Sequence, residues 1–531
     1  MPIGIGIKKS VFTEVPPVRE NIPWENDVLT IGQLLKYAAE RYEDKTAIRY
    51  TVNKEIADVS YRTLYENSRA VKKYLNSVYP DRCNVAVIGK TDYTYLTSMN
   101  AVFMSGKAFV PMSPEFDVDK IILLLREADV EIVFYEASQR ERIEEIRAAV
   151  PEIHTFIDMG NAELFDAIYR MFDASAPYEE SAAPDDFAAI IFTSGTMGYY
   201  KGVMLSSRAM ISNVWFEEMN YEGDNVTLNV LPMHHIFCLS CDYLKNIKDG
   251  VTICLNVEMH AIYRNLLLFE PTVLRLVPMI IESLMNKVRI VQKRHPEFTP
   301  REAAEKVFGR RLRNIIASGA TLSPGLAHRF DDMGITIRQG YGMTETGPRV
   351  SVPDGNTVCE SGGRIISICR VRLQDGEIQV KSPSLMMGYY KNPEKTQEAF
   401  TSDGWFRTGD LGEITPDNEL FIRGRIKNLI ILSNGENVSP EEIEKKYADE
   451  PLIKEIIVYE DENEIAAKIF PDFEYAAENR IDDLEEAVAS IVGRINLMGE
   501  TTREIAHFTI TNVPLPKTVS GKIKRKRDIN S

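Results

Sequence analysis

Between residues 84 and 135 short apolar runs alternate with longer amphipathic ones. NVAVIG (84–89), AFVPM (108–112) and VEIVFY (130–135) read as buried strands. TYLTSMNAVFMSG (94–106), closed by Gly106, and VDKIILLLREA (118–128) read as helices. Strands that alternate with helices predict parallel sheets with helices on their faces. TVLRLV (272–277) and the helical pattern over 279–293 continue the theme. The chain has 531 residues, 44% of them hydrophobic and 26% charged. That is soluble globular composition, with room for two to four domains at ~100–200 residues each.

Near residue 405 the texture changes. Strands become short and turn-rich: ELFIRG, NLIILSNG, and EIIVYEDENEIAAKIF, which reads as a hairpin turning at 461–463. SPEEIEKKYAD reads as a helix with Ser439 as N-cap and Pro440 in the first turn. A second helix is expected over 480–498. The predicted architecture is α/β: a large N-terminal domain of layered α/β sheets with several subdomains (1–423), plus a small mobile α+β domain (424–531).

The net charge of −16 argues against a general nucleic-acid surface. The N-terminal stretch MPIGIGIKKSVFTEVPP does not read as a signal peptide, and no run of ~18 uncharged apolar residues marks a membrane span. Six sparse, irregularly spaced cysteines suit a reducing compartment, so a cytoplasmic location is expected.

Several stretches carry chemistry. In FTSGTMGYYKG (192–202), Thr193, Ser194 and Thr196 offer hydroxyl donors, and Gly195 and Gly198 let backbone N–H groups turn toward phosphate. The flanking AAIIF and KGVML read as strands, and Lys201 is followed by Gly202. This is strand–loop–strand, unlike a Walker loop, which enters a helix. The Walker-like ending of VIGKT (87–91) lacks the upstream glycine and reads as a strand terminus. In RQGYGMTETG (338–347), Tyr341 lies between Gly340 and Gly342 and suits stacking on a base. Thr344 suits phosphate, and Glu345 suits Mg²⁺ shared with phosphate oxygens. DGWFRTGDLG (403–412) presents Asp410, whose carboxylate suits a pair of ribose hydroxyls. IRGRIKNLI (422–430) and PLPKTVSGKIKRK (514–526) complete the series, the latter with Lys522 on a loop before a basic tail. Read singly, each stretch is equally compatible with an ordinary turn or a solvated charge run.

TSGTMGYYKG, GYGMTET, WFRTGD, GRIKN and SGK, in that order, resemble the motif series of the acyl-adenylate-forming enzymes, the AMP-dependent synthetases and ligases. The likeness runs from about residue 28 to 528. VLPMHHIFCL (230–239) and IIASGATLSP (315–324) look most like bacterial long-chain fatty acyl-CoA ligases. The resemblance implies a two-step reaction. A carboxylate attacks the α-phosphate of ATP to give acyl-AMP and pyrophosphate; a thiol, usually that of coenzyme A, then takes the acyl group. It implies that Lys522 bridges carboxylate and ATP, and that Glu345 and Thr196 lie at Mg²⁺. Tyr341 stacks on adenine with Gly319 and Ala320 opposite. Thr344 donates to the α-phosphate, and Asp410 and Arg425 hold the ribose. Lys427 is the hinge, Gly435 lies beside the coenzyme A thiol, and His235 stands at the mouth of the acyl pocket. The implied substrate is a medium- or long-chain fatty acid.

Three points stay open. The acceptor is coenzyme A or an acyl carrier protein arm, and a homodimer is compatible with the family. Met197 stands where the family usually has a second hydroxyl, so a nucleotide-binding protein with degraded catalysis is an alternative. HHIFCLSC (234–241) has a CxxC spacing that suits zinc, but no second pair follows it. Tyr200 replaces a proline and Asn428 a frequent aspartate, both expected to matter little. Residues 346–355 and 360–371 are looser than the family norm. No acidic amino-acid selector is evident; Asp242 is the nearest candidate, lining a pocket or facing solvent.

Overall fold

The computed structural model describes residues 13–15, 28–173, 175–194, 200–216, 224–320, 322–432, 437–462, 464–497, 504–517 and 523–525. Two seven-stranded sheets dominate. One runs Thr336–Gln339, Asn314–Ala317, Val273–Leu276, Val226–Asn229, Thr252–Leu255, Thr46–Val52, Glu55–Ser60. The other runs Gly388–Tyr389, Tyr200–Ser206, Phe187–Ser194, Ala108–Met112, Asn84–Ile88, Val130–Tyr135, Thr155–Asp158. Most inner strands of both are parallel, as the alternating pattern requires; Phe187–Ser194 and Tyr200–Ser206 are the antiparallel inner pair. Successive side chains of a strand point to opposite faces. Val85 and Val87 accordingly join the core between the sheets, whereas Ala86 and Ile88 join the core on the outer face.

The helix Tyr93–Met104 lies in the central core. Ten of its residues, Tyr95 through Met104, are buried, which is why it is apolar on all sides. Helices Pro278–Arg294, Pro300–Phe308 and Pro324–Asp331 cover the outer face of the first sheet. A five-stranded sheet, ending in the antiparallel pair Phe406–Ile414 and Leu420–Arg425, forms a third unit with its own core.

Beyond Arg425 a short turn (Ile426–Asn428) leads to a smaller unit. It comprises the hairpin Ile453–Asp461/Glu464–Pro471, the parallel strand His507–Ile510 and helices packed on them, with a core of its own. The molecule is thus a large domain of layered α/β sheets with a smaller C-terminal domain. Two expectations are corrected here. Ser439 holds the N-cap position of the helix Pro440–Lys445, as expected, but its side chain makes no capping hydrogen bond; its hydroxyl donates to the Arg423 carbonyl (2.8 Å) and to Glu441 (3.1 Å). The second helix begins at Leu484 rather than at 480, because Asp483 supplies the cap, accepting from the Glu486 N–H at 2.9 Å.

Candidate active site

Phe187–Ser194 and Tyr200–Ser206 are antiparallel neighbours, with Thr193 opposite Lys201. The Gly- and hydroxyl-rich stretch is therefore a hairpin between two strands. Its tip, with Gly195, Thr196, Met197 and Gly198, lies outside the described residues, as do Gly435 and Lys522. Tyr200 has a packing role that the sequence did not suggest. It packs against the outer-face core, and the Lys120 ammonium sits 4.4 Å from its ring centroid.

Asn314–Ala317 and Thr336–Gln339 are parallel neighbours in register, and the Gly340 N–H donates to the Ala317 carbonyl at 3.0 Å. Their C-terminal ends thus deliver Gly319–Ala320 and Gly340–Tyr341 to one edge. Ligands of parallel sheets bind at this edge. Gly342 is required for close approach: a Cβ there would overlap the Pro348 carbonyl oxygen.

Asp410 and Arg425 are far apart in sequence but directly paired across antiparallel strands. Asp410 is 4% exposed. Its Oδ1 meets the Arg425 Nε at 2.7 Å, and its Oδ2 accepts from the Tyr341 hydroxyl at 2.8 Å. Burial and the Asp410 charge push the Tyr341 phenol well above its ordinary range, so it stays protonated and donates. The carboxylate locks the tyrosine ring in place and keeps lone pairs for further donors. Lys427, in the turn after Arg425, is exposed.

Thr344 and Glu345 sit in a short turn, Thr344–Thr346. The Glu345 carbonyl accepts from the Met386 N–H (2.8 Å), and its Oε1 from the Tyr389 hydroxyl (3.0 Å). A half-buried carboxylate with its second oxygen available is a fitting ligand for Mg²⁺, a hard ion that takes one or two carboxylates and shares phosphate oxygens.

The His235 ring centroid lies 4.3 Å from that of His234. His234 packs on Phe116, on which Lys120 in turn rests. Burial lowers the pKa of both histidines, that of His234 to about 3, with His235 and Lys120 contributing. Two neutral imidazoles and an aromatic wall suit an apolar acyl group. The following segment, Phe237–Leu244, is π-helical, a winding often found at functional sites. Cys238 and Asp242 both meet the Asn229 amide, at 3.1 and 2.7 Å. Asp242 is fully buried and faces no solvent; Thr227, Asn229 and Asn246 bond to it, and Arg275 lies 3.8 Å away.

Cys238 and Cys241 are free thiols, and Cys238 donates to the Leu231 carbonyl at 2.7 Å. Among the described residues, one group of His, Cys and acidic side chains converges as metal ligands do: His328, Cys359 and Glu360, with donor atoms within 4.8 Å of one another. Lys445 and Arg338 place positive charge beside it, which opposes a dication.

Sequence comparison assigns the class. The chain belongs to the AMP-binding enzyme family: residues 35–390 match the model of that family and residues 427–530 match the AMP-binding enzyme C-terminal domain. It is an acyl-adenylate-forming enzyme of the acid–thiol ligase type. The long-chain-fatty-acid–CoA ligase FadD13 of Mycobacterium tuberculosis is 30% identical over 383 residues, 68% of this chain and 73% of that protein. The 4-coumarate–CoA ligase 2 of Oryza sativa subsp. japonica is 29% identical over 399 residues, covering 69% and 66%. Among solved structures, the anthranilate CoA ligase AuaEII in complex with anthranoyl-AMP superposes with a TM-score of 0.79 at 18% identity, covering 93% and 95% of the two chains. ATP-bound MatB from Rhodopseudomonas palustris gives 0.77 at 24%, covering 93% and 97%.

Proposed function

We propose that this protein adenylates a medium- or long-chain fatty acid with ATP and transfers the acyl group to coenzyme A, releasing AMP and pyrophosphate. The observation that carries the nucleotide half of this reading is the buried Asp410 carboxylate, joined to both Tyr341 and Arg425 at the C-terminal edge of the sheets. Tyr341 stacks on adenine against Gly319 and Ala320. Asp410 and Arg425 hold the ribose. Thr193, Ser194, Thr196, Lys201 and the hairpin backbone hold the phosphates, and Thr344 donates to the α-phosphate.

In the first step a carboxylate oxygen attacks the α-phosphorus, and the bond to pyrophosphate breaks. Two anions meet, so positive charge and oriented donors are required where charge develops. Lys522 supplies that charge from the small domain. Mg²⁺ arriving with ATP would be held by Glu345, with Thr196 near it, and would neutralise phosphate charge. In the second step the thiol sulfur attacks the acyl carbon, and AMP leaves with the former carboxylate oxygen. The small domain, 424–531, turns about Lys427 between steps, withdrawing Lys522 and bringing Gly435 to the thiol.

The neutral histidine pair and Phe116 support an apolar acid. The buried partners of Asp242 weigh against its pairing with a substrate amine. Six buried, free cysteines support a cytosolic setting, and no helix among the described residues is long and apolar enough to cross a membrane. A screen of pyrophosphate release against acids of graded chain length tests the substrate. Adding coenzyme A or a loaded carrier protein to preformed acyl-AMP tests the acceptor. Fatty acids with coenzyme A are expected to give the fastest turnover; preference for aromatic or amino acids, or for the carrier, would overturn that assignment.

A further inference from the structure

Tyr389 was assigned no role by the sequence, yet three parts of the site meet on it. Its hydroxyl donates to Glu345 Oε1 at 3.0 Å. The Lys201 ammonium lies 4.6 Å from its ring centroid. Its backbone pairs with the strand leaving the phosphate hairpin, Gly388 opposite Met204 and Tyr389 opposite Val203. The pairing is reinforced on both sides, by Met387 N–H to the Met204 carbonyl (2.9 Å) and Tyr390 N–H to the Gly202 carbonyl (2.7 Å). The same short segment holds the Glu345 backbone through Met386. The side chain is 6% exposed, and burial together with the Glu345 charge keeps the phenol protonated, hence a donor. An ammonium over an aromatic face is held by the ring quadrupole, and a carboxylate accepting a phenol hydrogen bond is fixed in direction.

We infer that Tyr389 is a positioning residue that sets Glu345 and Lys201 at a fixed separation, so that the carboxylate and the ammonium take hold of the same metal–triphosphate. This rests on the ligase reading above. The two ends of the side chain do different work. The hydroxyl aims the metal-binding carboxylate, whereas the ring aims the phosphate-binding lysine.

The test separates them. Tyr389→Phe keeps the ring and removes the hydroxyl; Tyr389→Leu removes both. Binding of α,β-methylene-ATP is measured by calorimetry with Mg²⁺ and with EDTA, beside thermal melting and acid-dependent ATP–pyrophosphate exchange. Loss of a hydrogen bond to a charged group predicts that Tyr389→Phe weakens binding with Mg²⁺ by roughly tenfold. It should leave Mg²⁺-free binding and the melting temperature near wild type and raise the Mg²⁺ concentration needed for half-maximal exchange. Tyr389→Leu is expected to weaken Mg²⁺-free binding as well. Wild-type Mg²⁺ binding in Tyr389→Phe would overturn the inference, as would equal loss with and without Mg²⁺. Failure of the wild type to exchange with any acid would instead overturn the ligase reading, while the calorimetry still decides the role of Tyr389.

Discussion

His234 shows how surroundings set the charge of a single side chain. Its pKa is lowered from 6.5 to about 3, first by burial and then by His235 and Lys120. The unfolded chain therefore takes up this proton near pH 6.5, whereas the folded chain resists it until about pH 3. Stability from this site is complete above pH 6.5 and is lost as pH falls toward 3. His234→Asn should flatten that part of the profile: urea midpoints of wild type and variant should converge between pH 7 and pH 4. Parallel profiles would contradict this assignment of charge. The types of the candidate site residues were legible in sequence, because glycine, tyrosine, aspartate and arginine each carry their chemistry locally. The neutrality of His234 was not, since it depends on Phe116 and Lys120, more than a hundred residues away.

Elements with strong local patterns were read correctly: the strands and helices of 84–135, the two strands flanking residues 195–199, and the hairpin at 453–471. Errors arose where a tertiary contact diverted a local signal. Ser439 has the right chemistry for a cap, but the close approach of Gly424 hands its hydroxyl to Arg423. The segment Phe237–Leu244 was read only as helix, because a π and an α winding share the same apolar composition. Tyr389 escaped notice because the partner of its hydroxyl lies 44 residues away. The basic tail reads in sequence as compatible with a solvated charge run, but Arg525 is tethered. It bonds Glu444 (2.8 Å), Glu441 (3.2 Å) and the Val458 carbonyl (2.9 Å). Burial lifts Glu444 to about 7 even beside that guanidinium. With the Lys517–Ile523 bridge, Arg525 ties down the described residues on either side of 518–522. Arg525→Ala should slow acid-dependent exchange by roughly tenfold, as loss of a charged hydrogen bond implies. Arg525→Lys should restore part of it, and unchanged exchange in Arg525→Ala would dissociate the tether from adenylation.

At the scale of the molecule, polar contacts among the described residues join the small domain to the large one. Asp449 receives the Ser323 hydroxyl and the Gly325 N–H at the start of the helix Pro324–Asp331, and Lys293 meets Glu478 at 2.6 Å. Exposed ion pairs contribute only about 0–1 kcal/mol each, which is compatible with the domain rotation proposed above. Asp449→Ala should shift the balance between domain arrangements. We expect limited proteolysis after Arg425 to quicken and the ratio of adenylation to thiol-transfer rates to change, while the melting of each core stays near wild type. An unchanged ratio would show that this contact does not set the balance. The central claim, that the two domains meet to join an acid to AMP, is tested most directly by acid-dependent ATP–pyrophosphate exchange in wild type and Lys522→Ala. The account predicts exchange that rises with a medium- or long-chain fatty acid and is abolished in the variant. Absence of exchange with every acid tested, or exchange that survives Lys522→Ala, would contradict it.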